Sequence, residues 1–123
     1  MRLVVTRGFQ ECKTAVGGAY HARALHVGRT RILPTWEVLR PELLRGVITG
    51  APSGWRLKPL HGDLDVDGVW QIHVLKDLRI ILLDRAPVDE LVLVHLFHRQ
   101  NDGKSDDEYH RAYATLRNAG YVG

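Results

Sequence analysis

Apolar and polar positions change period near the middle of this chain. Leu3-Val4-Val5-Thr6 reads as a short opening strand. Glu11 to about Val27 has helical spacing, weakened by Gly17-Gly18. After Pro34, the run Thr35 to Arg40 predicts a second helix with Leu39, Leu43 and Leu44 on one side. Pro41 inside that run implies either a kink or a helix start at the proline. Gly50 to Gly54 is a loop. From Trp55 the pattern alternates: Trp55–Leu60, then Val69–Val74, then Leu78–Leu83, then Leu91–Phe97, the most apolar of the four. Lys76-Asp77 and the segment Asp84 to Asp89 with Pro87 read as turns. Asn101-Asp102-Gly103 ends the run of strands. Ser105 with Glu108 three residues on has the form of a capping box, opening a helix from about Asp106 to Asn118 that ends at Gly120.

Strand, two helices, three or four strands and a final helix predict an α+β domain spanning 1–123. Its antiparallel sheet has four to five strands with a mixed edge. The N-terminal helices cover one face, a C-terminal helix follows the strands, and the second face is expected to be open. The 123 residues suffice for one core, and 45% hydrophobic with 25% charged residues is ordinary for a globular chain. No apolar run is long enough to span a membrane, and the N-terminus does not read as a secretory signal. The single cysteine, Cys12, excludes an internal disulfide and any multi-cysteine metal site, so a cytoplasmic setting is the default expectation.

The net charge of +3 permits nucleic-acid binding without requiring it. Residues 1–51 carry eight Lys/Arg against three Asp/Glu; residues 52–123 carry nine against eleven, together with five of the seven histidines. The imidazoles therefore gather in the C-terminal half, apart from the basic excess. Alternation places Ile72 and Val74 under the helices and Gln71 and His73 on the opposite face. Arg79 enters the next strand close to His73. Arg56 and Lys58 share a face of the preceding strand, His98 and Arg99 end the last strand, and Tyr109 lies one turn into the final helix.

Such a set suits RNA cleavage by the substrate's own 2′-hydroxyl. The step needs a base, fixed positive charge on the phosphoryl oxygens, and an acid for the departing 5′ oxygen, with no metal or cofactor. Histidine can act as base or acid, and arginine grips phosphate through two prongs. Each residue also has a structural reading. His61 fits a turn, His95 a core histidine bonded to backbone, Asp77 a hairpin turn and Arg79 a cross-strand ion-pair partner. Tyr109 fits a packing residue, the three tryptophans the core or its edge, and Arg111 and Arg117 a solvated helix face. His95 and His98 fall on opposite faces of a strand, which argues against zinc.

From Trp55 onward the chain resembles the RelE/ParE toxin superfamily, especially its HigB-like branch. The resemblance rests on Leu57-Lys58-Pro59-Leu60-His61-Gly62, Gly68-Val69-Trp70-Gln71-Ile72-His73-Val74 and Leu78-Arg79-Ile80-Ile81-Leu82. It continues through Leu93-Val94-His95-Leu96-Phe97-His98-Arg99-Gln100 and Ser105 to Ala112. These pieces keep the family's order and spacing over about 65 residues. Gln71 stands where RelE proper has lysine, Leu78 where the YafQ-like branch has tryptophan, and residues 1–50 match poorly.

The resemblance implies a type II toxin of RelE-like fold. It would be an endoribonuclease (an mRNA interferase) that cuts mRNA at the ribosomal A site and is silenced by a cognate antitoxin encoded next door. It implies catalytic roles for His73, Arg79, His98, Arg99, Tyr109 and Asp77, and RNA contacts from Arg56, Lys58, His61, Gln71 and Lys76. The alternatives are a ParE-like gyrase inhibitor and a catalytically weak interaction module of the same fold. The nuclease expectation requires His73, Arg79 and His98 to meet in one water-facing hollow.

Overall fold

The computed structural model describes residues 1–45, 55–75, 77–99 and 105–122. Its elements are β1 (Arg2–Val5), α1 (Arg7–Glu11), α2 (Lys13–Val16), α3 (Gly18–Val27), a π-helical turn (Gly28–Ile32) and α4 (Leu33–Arg45). There follow β2 (Arg56–Pro59), α5 (His61–Leu64), β3 (Val69–Leu75), β4 (Leu78–Arg85), β5 (Glu90–His98) and α6 (Ser105–Asn118). The strands form one five-stranded sheet in the order β1-β5-β4-β3-β2. β1 runs parallel to β5, and every other pair is antiparallel. The fold is thus α+β with a mixed sheet, as the sequence predicts.

The first predicted helix is broken into three. Thr6 caps α1 by accepting a hydrogen bond from the Phe9 amide, and Gly17 ends α2 at φ 95°, a conformation costly for any residue with a Cβ. α4 runs through Pro41, which is exposed on its surface, and begins well before it. β4 extends to Arg85, so Asp84 belongs to the strand and not to the turn.

The expectation of an open second face is overturned. On one face Ile72, Ile80, Leu82, Leu93 and Leu96 pack under α1–α4 with Phe9, Ile32 and Trp36. On the other, Val69, Ile81, Leu83, Val92 and Phe97 pack under α6 and α5 with Tyr109, Ala112, Leu116 and Leu64. The reason is visible in the strands. Leu78 and Ile80 to Leu83 are buried, and so is β5 from Glu90 to Phe97, so both faces must be covered. Trp36 is fully buried, while Trp55 and Trp70 sit at the core edge. No helix among the described residues is long and apolar enough to cross a membrane.

Beneath α4, Asp84 accepts hydrogen bonds from Trp36 Nε1 at 3.0 Å and from Arg40 Nε and Nη2 at 3.2 and 2.6 Å. Arg40 also reaches Asp89 at 2.8 Å, and Asp89 pairs with the N-terminal ammonium. This network ties α4 and the start of β1 to the β4–β5 connection.

Candidate functional site: a cationic patch on β2–β4

The register of β2, β3 and β4 brings most of the predicted side chains together. Arg56 pairs with His73 and Lys58 with Gln71 across β2–β3. Gln71 pairs with Ile81 across β3–β4, which puts this row on the α6 face. Arg79 pairs with Phe97 of β5 and belongs to the same face. The β3–β4 register shifts between Ile72 and Leu75, a bulge beside His73. Asp77 makes the hairpin turn at φ 63°, exposed, and its carbonyl accepts from the Arg99 amide at 2.7 Å. That bond fixes the start of the segment after β5 beside the hairpin tip.

His73 is half-buried amid cations. Burial first, and then the charges of Arg79, Arg56, Arg99 and Lys58, push its imidazole down to about 4. It is therefore neutral at physiological pH. Burial, Arg99 and Arg56 also hold Arg79 below its ordinary value, against the opposing pull of Asp77. So many like charges close together favour an anion among them. Arg56, Lys58 and Arg99 are exposed, so the patch faces water.

Tyr109 is buried and donates a 3.0 Å hydrogen bond to Gln71 Oε1. The Gln71 amide nitrogen is then left to donate to His73 Nε2 at 2.9 Å, which places the ring proton on Nδ1. Lys58 Nζ lies 5.6 Å from the centre of the Tyr109 ring. Tyr109 thus acts through Gln71 on the orientation of His73, and its hydroxyl is not free for substrate.

His98 is not part of this patch. It pairs with Leu78, on the face covered by α1–α4. There its Nε2 lies 3.3 Å from the Val16 carbonyl and its ring meets Tyr20 edge-on. Arg99, one residue on, reaches the patch; His98 points the other way, by the alternation of the strand. The meeting of His73, Arg79 and His98 in one hollow fails at His98, and the two-imidazole acid–base scheme fails with it. Lys76 and the side chain of His61 lie outside the described residues, as do the Gly50–Gly54 loop, the Asn101–Gly103 turn and the Ser105 side chain.

The Glu108 carboxylate of the predicted capping box bonds His95 Nε2 at 2.6 Å and Arg111 at 3.3 Å. His95 is buried, as expected, but its partners are side chains, Glu108 on one edge and Cys12 on the other. No spacing in the sequence marks this trio, since its members come from a helix junction, a strand and a separate helix. No protein-family model, curated protein or solved structure matches this chain.

Proposed function

We propose that the β2–β4 patch binds the backbone of single-stranded RNA and, in place of the three-residue hollow that the position of His98 rules out, cleaves it by a variant of the RelE-type reaction that uses His73 as the imidazole base. The observation that carries this is a neutral imidazole ringed by Arg56, Lys58, Arg79 and Arg99. A phosphodiester seated there would relieve the repulsion among Arg56, Arg79 and Arg99. Arg79 would hold the phosphate, and the cations would stabilise the oxygens as charge develops on them. The 2′-hydroxyl would take the place of the Gln71 amide at His73 Nε2 and surrender its proton there. With His98 elsewhere, the described residues of the patch supply no second imidazole, and solvent would protonate the departing 5′ oxygen.

The wider reading follows the same lines: mRNA at the ribosomal A site as substrate, a cytoplasmic setting, and an antitoxin covering the patch. The test is incubation of the purified chain with a single-stranded RNA and with ribosome-bound mRNA. Cleavage leaving 2′,3′-cyclic phosphate ends, abolished by a 2′-deoxy substitution at the cut and by His73→Gln, is expected. Tight RNA binding without cleavage would reduce the reading to a binding module. Absence of both, with DNA damage signalling on expression, would favour the gyrase-directed alternative.

A further inference from the structure

A second cluster lies away from the patch, around Cys12. β1 stops pairing at Val5 opposite Leu93, so among the described residues the outer edge of β5 beyond that point has no strand beside it. The α1–α2 junction packs there instead, with the Leu96 backbone amide facing the Cys12 sulfur. Cys12 Sγ also lies 3.2 Å from His95 Nδ1 and 3.2 Å from the Gly8 carbonyl oxygen. The opposite ring nitrogen of His95 faces Glu108 Oε2 at 2.6 Å, and Arg111 holds the other carboxylate oxygen. Glu108 accepts from Nε2–H, so Nδ1 is bare and turned to the thiol. The sulfur and the carboxylate sit on opposite edges of the ring, so they cannot share one metal ion.

This trio borders a cavity of about 390 Å³ between α1, α2, β5 and α6. Its wall combines apolar Ala15, Val16 and Ala114 with polar Thr115, Asn118 and Arg111. That volume suits a small ligand. Cys12 is only 7% exposed, and what it exposes lines this space. A nucleophile within reach of a base, with the base oriented by a third group, is the arrangement that nucleophilic catalysis requires.

We propose that Cys12 is an acyl-accepting nucleophile, with His95 as its base and Glu108 as the residue that orients the imidazole, for small acyl groups activated as esters or thioesters. In the step, a bond forms between Cys12 Sγ and the carbonyl carbon while the thiol proton passes to His95 Nδ1. The tetrahedral intermediate then expels the alcohol or thiol, which recovers that proton, and a thioester remains on Cys12. The assignment to acyl transfer rests on the geometry, a bare Nδ1 3.2 Å from a thiol that borders a cavity fit for a small acyl donor, and the resting state agrees with it. Burial holds the thiol above its ordinary range and the imidazole below its own, so the pair rests neutral and the proton moves only on attack. Peroxide and disulfide exchange would instead favour a thiolate at rest. The charged and titratable groups facing the pair are Glu11 from α1, His98 from β5, and Glu108 and Arg111 from α6.

The test uses the full chain and p-nitrophenyl acetate, with acetylation of Cys12 followed by intact mass and peptide mapping. Because a neutral imidazole takes the proton, the rate should be level from about pH 6.5 to 8, whereas a free thiol such as N-acetylcysteine gains ~10-fold per pH unit there. Near pH 6.5 Cys12 should react at least ~10-fold faster than that reference. His95→Gln should remove the advantage and restore the rise with pH, and Glu108→Gln should lower the rate. The proposal is overturned if Cys12 in the folded chain is not acetylated, or if its rate tracks the free thiol across this range. Retention of the wild-type rate by a folded His95→Gln would also overturn it. If that variant does not fold, the wild-type pH profile decides alone.

Discussion

Tyr109 of α6 and Gln71 of β3 are joined by a buried 3.0 Å hydrogen bond, 38 residues apart in sequence. Removing the amide strands a buried phenol, whereas removing both polar groups strands neither. Tyr109→Phe should therefore cost about 1 kcal/mol of stability and Gln71→Leu about 1–3 kcal/mol. The double variant should be less destabilised than the sum of the two. Urea titrations of the four proteins check this.

His73 makes stability depend on acid. Its folded-state value of about 4 lies below the ordinary 6.5, so between these the unfolded chain binds the extra proton. Stability should fall as pH is lowered from about 6.5 towards 4 and be unaffected by this group above that window. His73→Gln should flatten that part of the profile. It will not flatten it fully, because burial lowers His95 as well and its loss runs in the same direction. Thermal midpoints across the window measure the difference.

Cations that touch phosphate reveal themselves through salt. If Arg79 contacts the RNA backbone, Arg79→Gln should weaken binding to all sequences alike and reduce the slope of log K against log salt by ~0.7. Arg56→Gln should do the same. His98→Gln should leave RNA affinity unchanged, since His98 lies on the opposite face of the sheet. Fluorescence anisotropy of a labelled oligonucleotide over a salt series reads all three.

Asp84 should dominate the structural ion pairs. Its side chain is 6% exposed and that of Arg40 15%. Asp84→Ala would leave the guanidinium largely buried and Trp36 Nε1 without its acceptor. A loss of about 3–5 kcal/mol is expected in chemical denaturation. Arg7→Ala, whose pair with Glu11 is exposed, should cost less than ~1 kcal/mol.

Gly68 enters β3 at φ 80°, with the Asp84 carbonyl only 2.8 Å from where a Cβ would lie. Gly68→Ala combines a left-handed backbone with a clash against a strand, and should cost about 1–3 kcal/mol. Thermal unfolding reads this directly.

The strands were legible because period-2 alternation and turn residues such as Asp77 act locally. The cationic patch was legible for the same reason: once β2, β3 and β4 are antiparallel neighbours, alternation alone places Arg56, Lys58, Gln71, His73 and Arg79 on one face. The same alternation sends His98 and Arg99 to opposite faces, so their adjacency in sequence does not bring both to the patch. The unbroken apolar runs of β4 and β5 are the sequence sign of the covered second face, and period-2 alternation does not carry it. The Cys12–His95–Glu108 trio left no local pattern. It depends on where β1 ends and on which turn of α6 meets β5, and only tertiary packing decides either.

Glu108 and Tyr109 are consecutive on α6, yet the first reaches His95 and the second Gln71. Neighbouring positions on a helix diverge by about 100°, so their two bonds fix the rotational setting of α6 about its own axis as well as its distance from the sheet. A twist of that helix would loosen both attachments together. Whatever grips α6 from outside would thereby be felt at the thiol and at the His73 imidazole alike.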